Sequence, residues 1–233
     1  MDFDYGSFEA ITFDCYGTLI DWESGILGQL RPMLHRNGAT VPSDDDLLRD
    51  FARHESEAES GGFRPYRSVL VDVALDFGKA HGFEPPDEEV TQFAASVGVW
   101  PPFTDTVPAL KALAGRFRLA IVSNVDDDLF AGSEAALGVN FDEVVTAQQV
   151  RSYKPNHAHF HEVLKRLALP REKVLHVAQS LYHDIAPARE LGITSVWVNR
   201  RTGRKGAGAT APSDARPDHE VPDLRTLVSE MGL

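Results

Sequence analysis

Four apolar runs in this chain each end in polar residues whose types could do covalent chemistry together. The stretch Phe8-Glu9-Ala10-Ile11-Thr12-Phe13 leads into Asp14, with Cys15, Tyr16, Gly17, Thr18 and Leu19 directly after it. Asp14 therefore stands at the carboxyl end of an expected strand, and Gly17 lets the chain turn sharply beyond it. A second run, Leu119 to Val122, ends in Ser123-Asn124. Ser152-Tyr153-Lys154-Pro155 follows a third, around Val144-Val145, and a fourth, Val174 to Ala178, leads through Gln179-Ser180-Leu181-Tyr182-His183 to Asp184. If the strands are parallel, all four ends open on one crevice, the place where α/β sheets bind their ligands. Gathered there would be a carboxylate able to act as nucleophile, a hydroxyl and amide pair, a lysine and a second carboxylate. Each also has an ordinary structural use. Asp14 and Asp184 could cap the turn and the helix that follow them, and Ser123 and Asn124 could be simple turn residues.

The elements needed to position these ends can be read from the apolar periodicity. Ser195-Val196-Trp197-Val198-Asn199 is a fifth expected strand, and helical segments are expected around Val107 to Leu113, Asp126 to Leu137, His157 to Leu167 and Asp184 to Leu191. Strands and helices in alternation imply right-handed βαβ units and a parallel sheet covered on both faces. The region from Asp21 to Val99 differs: Ile26, Leu27, Leu30 and Leu34, then Leu47, Leu48 and Phe51, then Val69, Leu70, Val73, Ala74 and Phe77, then Phe93, Ala94 and Val97 recur at helical spacing with no convincing strand. Ser43 followed by Asp44-Asp45-Asp46 predicts a helix start. The expected fold is α/β, a doubly wound parallel sheet forming a Rossmann-like core from residues 1–20 and 100–233, with a helical cap, residues 21–99, inserted after the first strand. Gly203 to Pro217 reads as a surface loop before a last helix near Leu224 to Met231.

Composition narrows the function. At 233 residues and 42% hydrophobic, the chain can bury a full core. A formal net charge of -12 argues against nucleic acid and anionic membrane surfaces as partners. Cys15 is the single cysteine, so no intrachain disulfide forms. With no signal-like N-terminus and no long apolar run, the expectation is a cytoplasmic protein.

The run Phe13-Asp14-Cys15-Tyr16-Gly17-Thr18-Leu19, the pair Ser123-Asn124, Tyr153-Lys154-Pro155 and the distal Asp184 resemble, as a set, the four motifs of the haloacid dehalogenase superfamily. The match spans residues 8 to 200, and within the superfamily the chain resembles the L-2-haloacid dehalogenase branch. Residues 14 to 23 also resemble a bacterial azetidine-2-carboxylate hydrolase of that branch. Two positions speak against the magnesium-dependent phosphatases of the superfamily: Tyr16 stands where these carry a second aspartate, and Ala178-Gln179-Ser180 replaces their Gly-Asp-Ser run. Magnesium prefers hard, charged oxygen ligands, and two candidates are missing. The resemblance therefore implies a metal-independent hydrolase with no cofactor, acting on a small carboxylate substrate, with a homodimer left open.

It also implies roles. Asp14 would attack the carbon bearing the leaving group and form an aspartyl ester that water then cleaves. Lys154 would keep Asp14 ionised, Asp184 would be the base for the water, and Thr18, Ser123 and Asn124 would donate hydrogen bonds to Asp14 or to substrate. Arg53 of the cap would pair with the substrate carboxylate, with Arg49 and Arg64 as alternatives. Tyr16, Trp22, Ser180 and His183 would line the pocket. Phe160, Leu181 and His183 stand where the dehalogenases typically have Tyr, Asn and Trp, so the identity of the leaving group is open.

Other features have ordinary explanations. His157, His159 and His161 lack nearby metal-binding partners, and Gly203, Gly206 and Gly208 do not make a dinucleotide-binding fingerprint. Arg200, Arg201, Arg204 and Lys205 read as a solvated loop, and Asp126-Asp127-Asp128 as the acidic first turn of a helix.

Overall fold

Successive side chains of a strand point to opposite faces, and in β1 (Ala10–Phe13) all four residues are buried. A strand apolar on both faces needs a covering layer on each. The computed structural model describes residues 3–203, 209–210 and 212–233 and supplies both layers. β1 is joined by β2 (Arg118–Ser123), β3 (Glu143–Thr146), β4 (Val174–Ala178), β5 (Thr194–Val198) and β6 (His219–Val221). The sheet order is β3-β2-β1-β4-β5-β6, and every pairing is parallel. This is the doubly wound arrangement expected, extended by β6. The chain leaves β1 toward β2 on one side and later returns to β4 on the other, so the winding reverses at β1.

Between β1 and β2 come α1 (Trp22–Arg36), α2 (Asp44–Glu59), α3 (Tyr66–Ala80), α4 (Asp87–Ala95) and α5 (Thr106–Ala114). α6 (Asp127–Leu137), α7 (Ala147–Val150), α8 (Ala158–Leu167), α9 (Ala186–Glu190) and α10 (Leu224–Glu230) follow. Ala10, Ala120, Val122 and Val145 on one sheet face pack against Val163 and Leu167 of α8. Ile11, Phe13, Ile121 and Val177 on the other join a larger core that continues through Leu110, Leu224 and Leu227 and out to Phe51, Phe77 and Phe93 of the α1–α4 layer.

Asp126 ties that layer to the sheet. It is 3% exposed, and its carboxylate accepts the N–H groups of Tyr66 and Arg67, both at 2.9 Å, at the start of α3. Those amides have no partner within their own helix, and an anion there is favourable. The acidic run expected at the start of α6 therefore divides. Asp127 and Asp128 occupy its first turn, while Asp126 serves α3. A second departure lies before α9, where Leu181–Ile185 forms a π turn in place of a regular helix start. Of the loop beyond Gly203, the residues Arg204, Lys205, Gly206 and Gly208 lie outside the described residues.

Candidate active site

Asp14 directly follows β1, and its N–H still donates to Val177 O of β4 at 3.2 Å, so sheet register is held up to the carboxylate. The chain then reverses. Leu19 N and Ile20 N both donate to Cys15 O, at 2.8 and 3.0 Å, around Gly17 at φ +91°. A side chain rarely adopts that conformation, and a Cβ on Gly17 would lie 2.9 Å from Trp22 Nε1. The turn brings Thr18 back onto the nucleophile candidate. Thr18 Oγ1 donates to Asp14 Oδ2 at 2.7 Å and accepts Gln179 N at 2.8 Å.

Lys154 arrives from the loop after α7 and is 2% exposed. Its Nζ donates to Asp14 Oδ1 at 2.8 Å, Asp184 Oδ1 at 2.7 Å and Val122 O at 2.9 Å, which uses all three protons. Asn124 grips the lysine by its backbone: Lys154 N donates to Asn124 Oδ1 at 2.7 Å, and Asn124 Nδ2 donates to Lys154 O at 3.1 Å. Behind Asp184, His176 Nε2 lies 3.1 Å from Oδ1, and its Nδ1 lies 2.9 Å from Thr12 Oγ1. Neither His176 nor Thr12 was marked by the sequence, because both sit inside apolar strands.

Electrostatics separates the two carboxylates. Burial pushes Asp14 up, Lys154 pulls it down and Asp184 pushes it up again, leaving it above its ordinary value. Burial would also raise Asp184, but Lys154 and His176 outweigh it and hold the group down to about 2. Burial disfavours the charge on Lys154, and the two aspartates overcome that and raise it.

These groups open on an inner cavity of about 60 Å³, also lined by Tyr16, Trp22, Ser123, Asn124, Ser180 and His183. Tyr16 OH bonds with Ser133 Oγ at 3.0 Å. Ser180 Oγ and His183 Nδ1 are 3.1 Å apart, and His183 N donates to the same hydroxyl at 2.9 Å. Burial lowers His183 to about 4, so its ring is neutral near pH 7. Two buried atoms on this wall, Ser123 Oγ and Asp184 Oδ2, have no hydrogen-bond partner among the described residues.

Arg53 is not on the inner wall. Its side chain is 51% exposed, lies 3.5 Å from Asp50 and 3.8 Å from Glu57 on its own helix, and borders an outer cleft of about 1260 Å³. Arg49 borders the same cleft, and Arg64 pairs with Asp72 at 2.7 Å. From α2 the inner cavity receives Glu55 and Glu59 instead. Tyr66 OH donates to Glu55 Oε1. Burial pushes Glu55 up to about 7 and Glu59 up to about 9, the latter also repelled by Glu55. The sequence signal for them was an i, i+4 acidic pair, which on a polar helix is indistinguishable from a solvated face. Of the histidines set aside as metal ligands, His159 is buried against Ser123 O, while His157 lies 2.9 Å from Glu190.

A Rossmann-like sheet with a carboxylate after its central strand, a lysine spanning two aspartates and a helical layer above points to a hydrolase. The haloacid dehalogenase-like hydrolase family matches residues 8–192, and the chain belongs to it. It is 32% identical to an (S)-2-haloacid dehalogenase of Pseudomonas sp. (strain YL), over 94% of this chain and 93% of that one. A Pseudomonas putida (S)-2-haloacid dehalogenase is 25% identical over 94% of each. In fold it is similar to the L-2-haloacid dehalogenase from Xanthobacter autotrophicus with chloropropionic acid covalently bound, at TM-score 0.80, 21% identity and coverage of 97% and 98%. The defluorinating L-2-haloacid dehalogenase Rha0230 superposes at TM-score 0.82 over the whole of both chains, with 21% identity. Among the described residues, no helix is long and apolar enough to cross a membrane.

The donor set does not fit magnesium, the metal of the superfamily's phosphatases. Asp14 Oδ1 and Asp184 Oδ1 already accept from Lys154, Tyr16 replaces one acid, and the Gln179 side-chain oxygen accepts from Thr210 at 3.2 Å.

Proposed function

We propose that this chain is a metal-independent hydrolase that displaces the 2-substituent of a small 2-substituted carboxylic acid through an ester on Asp14. Halide is the leaving group implied by the names of the dehalogenase relatives. The observation that carries the reading is the Asp14 carboxylate, fixed through one oxygen by Lys154 and through the other by Thr18. Each oxygen keeps a lone pair for attack on carbon. Once the ester forms, Asp14 loses its charge. Lys154, still paired with Asp184, then stands beside the ester carbonyl, where it stabilises the oxyanion formed on water attack. Asp184 Oδ2, ionised and without a hydrogen-bond partner among the described residues, takes the proton of that water. Ser123 and Ser180 contact the substrate, and Asn124 and Thr18 position the charged groups. The α1–α4 layer acts as a cap over the cavity. We place the enzyme in the cytoplasm, on the strength of a lone, buried cysteine.

A single turnover in oxygen-18 water with enzyme in excess tests the route. An ester hydrolysed at its carbonyl leaves label in the Asp14 peptide. Fully labelled product with unlabelled Asp14 would mean direct displacement by water and would overturn the reading.

A further inference from the structure

With ester formation on Asp14 as the premise on which this inference rests, the inner cavity accounts for one end of a substrate only. Its volume of about 60 Å³ has room for about four to six water-sized groups, enough for C2, its leaving group and the C1 carboxylate but not for a longer chain. Glu55, Glu59, Lys154 and His183 line both this cavity and the outer cleft of about 1260 Å³, so the two are continuous. A longer substrate with C2 against Asp14 therefore runs past these residues into the cleft.

The walls of the cleft are aromatic. Tyr182, in the π turn before α9, is exposed, and its ring centroid lies 4.9 Å from that of His183 on the inner wall. Phe63 and Tyr153, with ring centroids 5.5 Å apart, form another wall, and Arg151 Cζ lies 5.7 Å from the Phe63 centroid. Arg151 stands three positions before Lys154, so the two Cα atoms are within about 11 Å of each other.

Arg151 differs from the other cations of the cleft. Arg49 pairs with Asp46, Arg53 lies beside Asp50 and Glu57, and Lys154 is committed to the two aspartates. The Arg151 side chain makes no ion pair or hydrogen bond among the described residues. Its backbone sits at φ +51°, a left-handed conformation that glycine takes without strain and arginine rarely does. Strain kept at the mouth of a site points to a use for the side chain that imposes it. Nor do the acids of the cleft cancel this guanidinium. Asp45 lies 3.4 Å from Arg201, Tyr66 OH donates to Glu55, and burial pushes Glu55 up to about 7 and Glu59 up to about 9, which leaves Glu59 neutral at pH 7.

We propose that Arg151 receives a second carboxylate at the far end of the substrate's chain, so that the substrate class is the 2-substituted dicarboxylic acids. Phe63 and Tyr182 cover the methylenes between the two ends. The planar guanidinium over Phe63 pairs with the distal carboxylate through two N–H groups.

The test compares kcat/KM, by chloride release, for racemic 2-chlorohexanedioate and racemic 2-chlorohexanoate, which differ only at the far carbon. The diacid is expected to be favoured at least about tenfold, chiefly through KM; Arg151→Gln should bring the ratio to unity and Arg151→Lys should keep part of it. Arg151→Gly removes the guanidinium without strain at φ +51°, so it decides the matter if circular dichroism shows that the glutamine variant folds poorly. Equal kcat/KM for the two acids, a preference for the monoacid, or a ratio that survives loss of the guanidinium overturns the proposal. A single turnover of 2-chloropropionate in oxygen-18 water separates the two levels. Label in the Asp14 peptide together with a diacid ratio of unity removes this inference alone. Unlabelled Asp14 with labelled product removes the ester reading beneath it.

Discussion

Asp14 and Asp184 accept from the same ammonium, Lys154 Nζ, at 2.8 and 2.7 Å, although they come from opposite ends of the chain. Neither could be buried ionised without it. Lys154→Met is therefore expected to lose turnover and to destabilise the fold by about 3–5 kcal/mol, the usual cost of leaving a buried ion without its partner. Urea unfolding measures the second effect. A Lys154→Met chain as stable as wild type would mean that the aspartates find their countercharge elsewhere.

Replacing the proposed nucleophile separates chemistry from folding. In Asp14→Asn the side chain keeps its size, and its amide oxygen can still accept from Lys154 or Thr18, but it cannot form the ester. Turnover should fall to background with an unchanged circular dichroism spectrum. Wild-type-like rates in a variant shown by mass spectrometry to be free of deamidation would remove Asp14 from the mechanism.

The proposed attack requires Asp14 as the anion, and its burial raises its ionisation above the ordinary 3.8. The rate should then rise with pH through a point above the usual aspartate range. Lys154 is raised from 10.5, so loss of its proton sets no alkaline limb below that value. A kcat/KM profile already flat at the ordinary aspartate value would show that Lys154 and Thr18 outweigh burial.

Thr18 links two motifs, since its hydroxyl donates to Asp14 Oδ2 and receives Gln179 N. Thr18→Val keeps the shape and leaves both partners unmet, at a cost of about 1–3 kcal/mol. A larger relative loss in kcat than in KM is expected, because the proposed nucleophile is misplaced while the pocket remains. Kinetics matching wild type would reduce the hydroxyl to a structural cap.

How far the site was legible in the sequence depended on whether a residue's role was visible in its local pattern. Asp14, Ser123, Lys154 and Asp184 stood out as polar residues ending or following apolar runs, and a parallel sheet brings such positions together. β6 was not legible: it has three residues, His219 to Val221, of which only Val221 is buried, and Pro217-Asp218 precede it like a turn. His176 lay within a buried strand and carried no contrast with its neighbours. Glu55 and Glu59 were masked by the opposite problem, a helix so polar that two more acids conveyed nothing. Asn124 was legible as a strand-end polar residue, yet only the fold reveals that its amide is engaged with the Lys154 backbone.

Arg53 tests the boundary between the inner cavity and the outer cleft. Resemblance assigns it to the substrate carboxylate, whereas its guanidinium lies between Asp50 and Glu57 and contacts His54 Nε2 at 3.0 Å. An exposed arginine with two acids of its own helix beside it contributes about 0–1 kcal/mol to stability. Those contacts are all to its own helix, and it does not line the inner cavity, so Arg53→Ala should change kcat/KM by less than about threefold, equivalent to under about 0.7 kcal/mol. Steady-state kinetics on a 2-substituted acid decides it. A fall of about a hundredfold, carried by KM, would require α2 to shift so that the guanidinium enters the cavity when substrate binds.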